Sequence, residues 1–94
     1  LGLRVTSLER PADAVAERLS AGAIVAFCQG RFEWGPRALG HRSLLALPTP
    51  LAVKERLNRV IKRREPFRPF APAVLEAEAR RFFEPYAPLL APFM

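Results

Sequence analysis

Apolar and polar positions along this chain follow a helical period in three stretches. Apolar side chains at i, i+3, i+4 and i+7 predict a helix over residues 11–21, which Gly22 is placed to end. A second stripe predicts a helix over residues 50–62, with Thr49 as its cap. The inner face of that helix would consist of Val53, Leu57, Val60 and Ile61. A third helix is predicted over residues 76–83.

Short apolar runs predict the strands. Residues 23–28 form a continuous run rich in β-branched and aromatic side chains, which is typical of a buried strand. Residues 43–46 and 3–7 predict two more strands, and residues 70–75 predict an edge strand because Pro72 interrupts them.

Alternating strands and helices predict the α/β class, with α+β as the alternative. We expect a small, twisted, mixed sheet with about three helices beside it, followed by an extended tail from Glu84. Residues 1–94 would form one domain or a fragment of one, and a start at Leu1 instead of methionine favours the fragment.

The net charge of +6 is concentrated in one region. Residues 31–68 carry ten Lys or Arg against three Glu, a balance of +7, and the other residues carry five against six, a balance of −1. Such a field attracts polyanions, whether a nucleotide, a nucleic acid or a phosphorylated small molecule.

Other classes of protein find no support in the sequence. There is no apolar run of about 18 residues for a membrane span and no secretory signal. The single cysteine, Cys28, lies in an apolar run, so we expect a reduced core thiol in a cytoplasmic protein.

Residues 29–43, the glycine–arginine loop, carry the densest chemistry. Glycines recur every five residues, arginines lie between them, and the run closes on a hydroxyl: Gly30, Gly35 and Gly40; Arg31, Arg37 and Arg42; and Ser43. Glycine lets backbone approach a ligand, and arginine presents a rigid fork of donors to phosphate or carboxylate. The loop therefore predicts an anion site. It is not a P-loop, because His41 stands where that motif needs lysine.

Several side chains of the loop have more than one interpretation. The arginines could simply be solvated on a tight turn. Glu33 is expected to pair with an arginine, although it could orient one or act as an acid or base. Trp34 is expected to pack on the core, with stacking on a base as the alternative. His41 could be catalytic, but nothing near it in the sequence supports a metal site.

Residues 58–72, the second basic segment, hold a rigid Pro-Phe-Arg-Pro-Phe sequence flanked by further cations. Prolines could fix the direction of Arg64 and Arg68, which favours a binding role for both. Exposed solvated positions on the preceding helix are predicted for Arg56, Arg59 and Arg63.

The two motifs together resemble the C-terminal domain of carbamoyltransferases of the NodU/CmcH type. The resemblance rests on Gly-Arg-Phe-Glu-Trp-Gly-Pro-Arg-Ala-Leu-Gly-His-Arg-Ser and on Lys-Arg-Arg-Glu-Pro-Phe-Arg-Pro-Phe-Ala-Pro, and it covers about residues 12–94. It implies a YrdC-like α/β fold with a basic concave face, incomplete in this chain. The family places Asp and Arg around Pro48, where this chain has Leu47 and Thr49.

The resemblance also implies a chemistry. Such a domain binds ATP, with Mg²⁺ as a candidate companion, and carbamoyl phosphate, and it forms carbamoyl-adenylate. A separate N-terminal Kae1-like domain, which binds iron, then transfers the carbamoyl group to an acceptor hydroxyl. This chain alone would be inactive.

The resemblance assigns roles at the matching positions only. Catalytic contacts fall to Arg37, Arg42 and Ser43. Nucleotide-binding contacts fall to Arg31, Gly35, Gly40, Asn58, Lys62, Arg64 and Arg68, and no residue is assigned to a metal.

Two other functions stay open. The basic region could bind RNA, although its aromatic residues are framed by prolines as if for packing. The chain could also be an inactive fragment, and an open sheet edge would then favour self-association into a homo-oligomer.

Overall fold

The structure is a computed structural model that describes residues 2–31 and 33–84. In chain order the described elements are α1 (Pro11–Ser20), β1 (Val25–Cys28), β2 (Arg42–Leu45), α2 (Leu51–Arg56), a π-helical segment (Leu57–Lys62) that continues α2, and α3 (Glu76–Phe82). The predicted α/β class and the three helical regions are confirmed. The predicted tail over residues 85–94 lies outside the described residues.

The sheet is a hairpin, and the glycine–arginine loop connects its strands. β1 pairs antiparallel with β2, from Val25 opposite Leu45 to Cys28 opposite Arg42. The backbone N–H of Gln29 donates to the carbonyl of His41 at 3.0 Å and extends the pairing by one step. The expectation of a mixed sheet is therefore wrong for the described residues, whose two strands are antiparallel.

The two other predicted strands do not form. Residues 3–7 have no ladder partner in the described part of the chain, and Leu3 and Val5 are 80% and 92% exposed, so the apolar side of that alternation is not packed. Residues 70–75 also form no strand, because Pro72 lacks an N–H and interrupts any ladder there.

Helix α1 begins at the predicted proline and ends one residue before the predicted end. The N–H of Gly22 donates to the carbonyl of Leu19 at 2.8 Å, and Ala23 donates to Arg18 at 3.0 Å. Gly22 takes φ +80°, a conformation that costs a side chain free energy, so glycine suits the end of this helix. Contacts between α1 and β1 fix the helix beside the hairpin.

The second helix departs from its predicted cap and inner face. Thr49 does not cap it; Pro50 precedes the first turn, and no side chain bonds the free N–H groups. Leu57 is buried as predicted, whereas Val60 and Ile61 are 66% and 42% exposed. Both side chains lie in the π-helical segment, whose i→i+5 bonding departs from the α-helical period on which the prediction rested.

Few residues of the described part are fully buried. They are Leu57, Asn58 and Ala79. Cys28 is exposed, so the prediction of a core thiol is wrong: β1 alternates half-buried and exposed positions, and Cys28 lies on the exposed side. No helix of the described residues is long and apolar enough to cross a membrane.

Candidate functional site

The base of the glycine–arginine loop is closed by Gln29 and His41. Besides the backbone bond, Nδ1 of His41 lies 2.9 Å from the carbonyl oxygen of Gln29. A carbonyl only accepts, so Nδ1 carries the proton. Gly30 has φ +58°, and a Cβ there would lie 3.2 Å from Nδ1 of His41. The loop therefore needs glycine at this position for both its backbone and its space.

Glu33 bonds the backbone, and the expected ion pair with an arginine is not made among the described residues. The N–H of Leu39 donates to both carboxylate oxygens of Glu33, at 3.0 and 2.9 Å. This bond, more than any other cause, holds the pKa of Glu33 below its usual value of 4.5. An ionised carboxylate thus ties the two sides of the loop together.

Arg42 is bound by the loop that it belongs to. Its Nε donates to the carbonyl of Glu33 at 3.1 Å, and its Nη2 donates to the carbonyl of Gly35. The neighbouring Ser43 accepts the N–H of Gly40 at Oγ, at 3.1 Å. Both side chains therefore fix the shape of the loop, and their predicted catalytic contacts stay predictions.

Arg31 and Arg37 have the opposite character. Both are exposed, and neither makes a hydrogen bond or ion pair with any of residues 2–31 and 33–84. Trp34 is fully exposed, so the prediction that it packs on the core is wrong. The loop consequently presents two free guanidinium groups and an indole to solvent. Gly35 and Gly40, at φ +138° and +105°, supply the turns on either side.

The second basic segment is organised by Asn58, which is fully buried. Its Nδ2 donates to the carbonyls of Pro66 at 3.1 Å and Arg68 at 3.0 Å. Its Oδ1 accepts Nε of Arg64 at 2.8 Å, and its backbone carbonyl accepts the N–H of Arg64 at 3.0 Å. In this conformation each polar atom of the Asn58 side chain bonds to the protein, and its predicted contact with a nucleotide stays a prediction.

The cations of this segment differ in how firmly they are held. The guanidinium of Arg64 lies 4.7 Å from the ring centre of Phe70, and its Nη2 reaches the carbonyl of Pro69 at 3.4 Å. Arg68 pairs with Glu65 at 2.8 Å, with both side chains about half exposed. Lys62 is exposed, and its side chain bonds to no described residue.

The charge of Glu65 is stabilised locally. Its own backbone N–H and the charge of Arg68 lower the pKa of Glu65 below its usual value. Glu65 is therefore ionised and partly neutralises Arg68 at neutral pH.

The structure does not join the two basic regions. Among the described residues, every side-chain hydrogen bond of the glycine–arginine loop stays within residues 29–43, and every side-chain bond of the second basic segment stays within residues 58–70. The hairpin and α2 are also not among the pairs of described elements in extensive contact. Each region is thus a separately built cluster of cations.

Sequence reasoning missed two residues that shape these clusters. The backbone N–H of Leu39 and the side chain of Gln29 bond within the glycine–arginine loop, and no pattern in the sequence marks a main-chain donor. Within the described part of the chain, no group of three or more His, Cys, Asp or Glu is placed to hold a metal ion.

The chain is similar in sequence to one protein family and to several curated proteins. Residues 16–94 match the family model described as "Carbamoyltransferase C-terminus". The chain is 50% identical over 84 residues to nodulation protein NolO of Bradyrhizobium diazoefficiens, covering 88% of this chain and 15% of that protein. It is 53% identical over 73 residues to nodulation protein NolNO of Sinorhizobium fredii, covering 78% of this chain and 11% of the relative.

A further relative has an enzymatic name. The 3'-hydroxymethylcephem-O-carbamoyltransferase of Streptomyces clavuligerus is 56% identical over 59 residues, which cover 63% of this chain and 11% of that enzyme. The chain therefore spans between a tenth and a sixth of the length of these three relatives.

Proposed function

The chain belongs to the carbamoyltransferase C-terminus family, and from that premise we propose that it binds ATP and carbamoyl phosphate within an O-carbamoyltransferase. Carbamoyl-adenylate would form on its basic loops. A separate region, the N-terminal Kae1-like domain with its iron, would transfer the carbamoyl group to an acceptor hydroxyl. The name of the Streptomyces relative supports an oxygen acceptor.

One observation carries the proposal: the side chains of Arg31 and Arg37 have no partner among residues 2–31 and 33–84, on a loop that is otherwise tightly bonded. Glu33 and Arg42 fix that loop through its backbone. The backbone that carries both arginines is therefore fixed before the ligand arrives, so only the two solvated guanidinium groups have to be ordered when phosphate binds.

The proposed reaction needs this concentration of positive charge. Carbamoyl phosphate would first be hydrolysed to carbamate and inorganic phosphate. A carbamate oxygen would then attack the α-phosphorus of ATP, and the bond from that phosphorus to the oxygen bridging the β-phosphorus would break with release of pyrophosphate. Negative charge builds up on both fragments, and guanidinium groups on either side stabilise it. Arg37 and Arg31 are our candidates for these contacts, with Arg64 and Lys62 as cations of the second cluster.

Isothermal titration of the full-length protein with ATP and with carbamoyl phosphate tests the proposal. Arg37→Ala should weaken ATP binding about tenfold, the loss expected for one charge-assisted hydrogen bond. Arg59→Ala is the matched control, because it removes the same charge from an exposed position on the π-helical segment. Absence of ATP binding, or equal losses in the two variants, would contradict the proposal.

RNA binding is a second candidate, and Trp34 favours it. A fully exposed indole beside Arg31 and Arg37 offers a base a surface on which to stack, next to cations for its phosphates. The packing that the sequence analysis held against RNA binding therefore does not occur at Trp34. The same indole could equally stack on the adenine of ATP, so competition between ATP and single-stranded RNA distinguishes the two.

A further inference from the structure

We infer that Asn58 is a positioning residue, which holds the guanidinium of Arg64 ready for a nucleotide phosphate without touching the nucleotide itself. The inference rests on the proposed function, because it requires ATP to bind at the second basic segment. It assigns to Asn58 a role different from the direct contact that the sequence suggested.

Asn58 is too deeply buried to contact a nucleotide, and its polar atoms therefore need hydrogen-bond partners within the protein. Asn58 is 0% exposed, and it is the one polar residue buried to this extent among residues 2–31 and 33–84. A buried amide that lacks partners costs free energy, so its bonds determine whether it stabilises the fold. Both amide hydrogens and Oδ1 have partners within the segment. The side chain is therefore fixed in one orientation.

Asn58 holds Arg64 at two points. The side-chain Oδ1 accepts Nε, and the backbone carbonyl accepts the backbone N–H. The backbone bond spans Arg63, which takes a left-handed conformation at φ 47° and turns the chain back towards Asn58. Main chain and side chain of Arg64 are thus fixed by the same residue.

The opposite side of the guanidinium stays available. Nε and Nη2 donate to the chain, and the ring of Phe70 covers one face at 4.7 Å from its centre. Nη1 has no partner among the described residues. A guanidinium fixed on one edge and open on the other loses little rotational freedom when it binds phosphate.

Arg68 shows by contrast what Asn58 adds. Its guanidinium pairs with Glu65, and both side chains are about half exposed, so solvent competes for the pair. Asn58 bonds only the backbone carbonyl of Arg68 and does not bond its guanidinium. Arg64 is consequently the preorganised cation of the segment.

A double-mutant cycle in the full-length protein tests the inference. ATP affinity is measured for the wild type, Asn58→Ala, Arg64→Ala and the double variant. Each single change should weaken binding about tenfold, the value of one charge-assisted hydrogen bond. The double variant should bind no more weakly than Arg64→Ala, because Asn58 acts only through Arg64.

The dependence on phosphate number separates positioning from general damage. Titration with ATP, ADP and AMP should show that both single variants lose the preference for the longer phosphate chain. Asn58→Ala paired with Arg18→Ala is the control cycle. Its losses should be additive because the exposed side chain of Arg18 bonds to no described residue and lies on α1, which is not among the described elements in extensive contact with the π-helical segment.

Arg64→Lys keeps the test decisive if Asn58→Ala fails to fold. Lysine keeps the charge but lacks the fork that bonds Oδ1, so ATP affinity should fall about as far as in Arg64→Ala. Unchanged affinity in Arg64→Lys, or additive losses in the Asn58 and Arg64 cycle, would overturn the inference while the proposed function stands. Failure of the wild type to bind ATP would overturn both.

Discussion

Two arginines in this chain, Arg42 and Arg64, are held by oxygen atoms of their own loops. In each case Nε and Nη2 donate to the chain, to Glu33 and Gly35 in one loop and to Asn58 and Pro69 in the other. Their positive charge is retained while their direction is fixed. At the scale of single residues, charge alone does not distinguish these from the solvated Arg31 and Arg37.

Glu33 makes the glycine–arginine loop sensitive to acid. The N–H of Leu39 lowers the pKa of Glu33, so the folded state favours the ionised form. The stability that this bond supplies is complete above the ordinary glutamate pKa, and it is lost as pH falls through the lowered pKa. The chemical shift of the Leu39 amide proton should therefore titrate with a midpoint below pH 4.5.

Glu33→Gln is the control for this titration. Glutamine keeps an oxygen acceptor but carries no titrating group, so the amide of Leu39 should show no transition in that pH range. A transition that persists in Glu33→Gln would assign the titration to another group.

At the scale of elements, the space beside the backbone determines which residues the hairpin loop and the end of α1 accept. Gly30 and Gly22 both have positive φ, at +58° and +80°. A Cβ added at Gly22 would meet no atom within 4 Å, whereas a Cβ added at Gly30 would meet the ring of His41. The pair therefore separates the cost of backbone conformation from the cost of crowding.

Gly22→Ala should lower the free energy of unfolding by about 1–2 kcal/mol, the penalty of a left-handed backbone for alanine. Gly30→Ala should lower it further, because its Cβ would lie 3.2 Å from Nδ1 of His41. Urea unfolding of both variants measures the difference. In a His41→Ala background the excess at Gly30 should disappear; if it persists, crowding by the ring is not its cause.

Local sequence signals were sufficient to predict the helices and the two strands of the hairpin. They were insufficient wherever an element depends on a partner elsewhere in the fold. Pro11 and Gly22 fix the ends of α1 through dihedral preferences that any context must respect. Residues 3–7 have the same apolar alternation as a strand, yet a strand needs a partner that no local pattern specifies. Val60 and Ile61 continue the apolar stripe but are exposed, and the change from α-helical to π-helical bonding at Leu57 is not visible in the periodicity.

For the candidate site, too, the sequence predicted the local features but not the contacts that depend on the fold. Residue types and glycine spacing predicted two cationic loops, and both are present. Which cations are free and which are bound could not be predicted, because the bonds of Arg42 go to carbonyls whose positions depend on the folded loop. Sequence likewise could not show that Trp34 lacks a core to pack on.

At the scale of the whole molecule, the positive charge of residues 31–68 means that the salt dependence of binding can distinguish RNA from ATP as the ligand. Residues 31–68 carry a balance of +7, and the side chains of both clusters lie within them. A single-stranded polyanion that neutralised several of these charges would release as many counterions, whereas ATP offers only one short phosphate chain.

The logarithm of RNA affinity should fall against the logarithm of salt concentration with a slope of about 0.7 per phosphate contact. If ATP is the ligand, RNA binding should be weak and fully displaced by ATP, with Arg37→Ala reducing both affinities. Fluorescence anisotropy of a labelled oligonucleotide over a salt series measures the slope. Tight RNA binding that ATP does not displace would favour the second candidate function.

The bonds of Asn58 also restrict insertions and deletions in the segment that follows it. One side chain bonds carbonyls eight and ten positions ahead, and its backbone oxygen bonds the amide six positions ahead. Substitutions on the outer surface of this turn leave those bonds intact. An inserted or deleted codon between residues 58 and 68 would shift all of them out of reach at once, so the length of this turn is held more strictly than its composition.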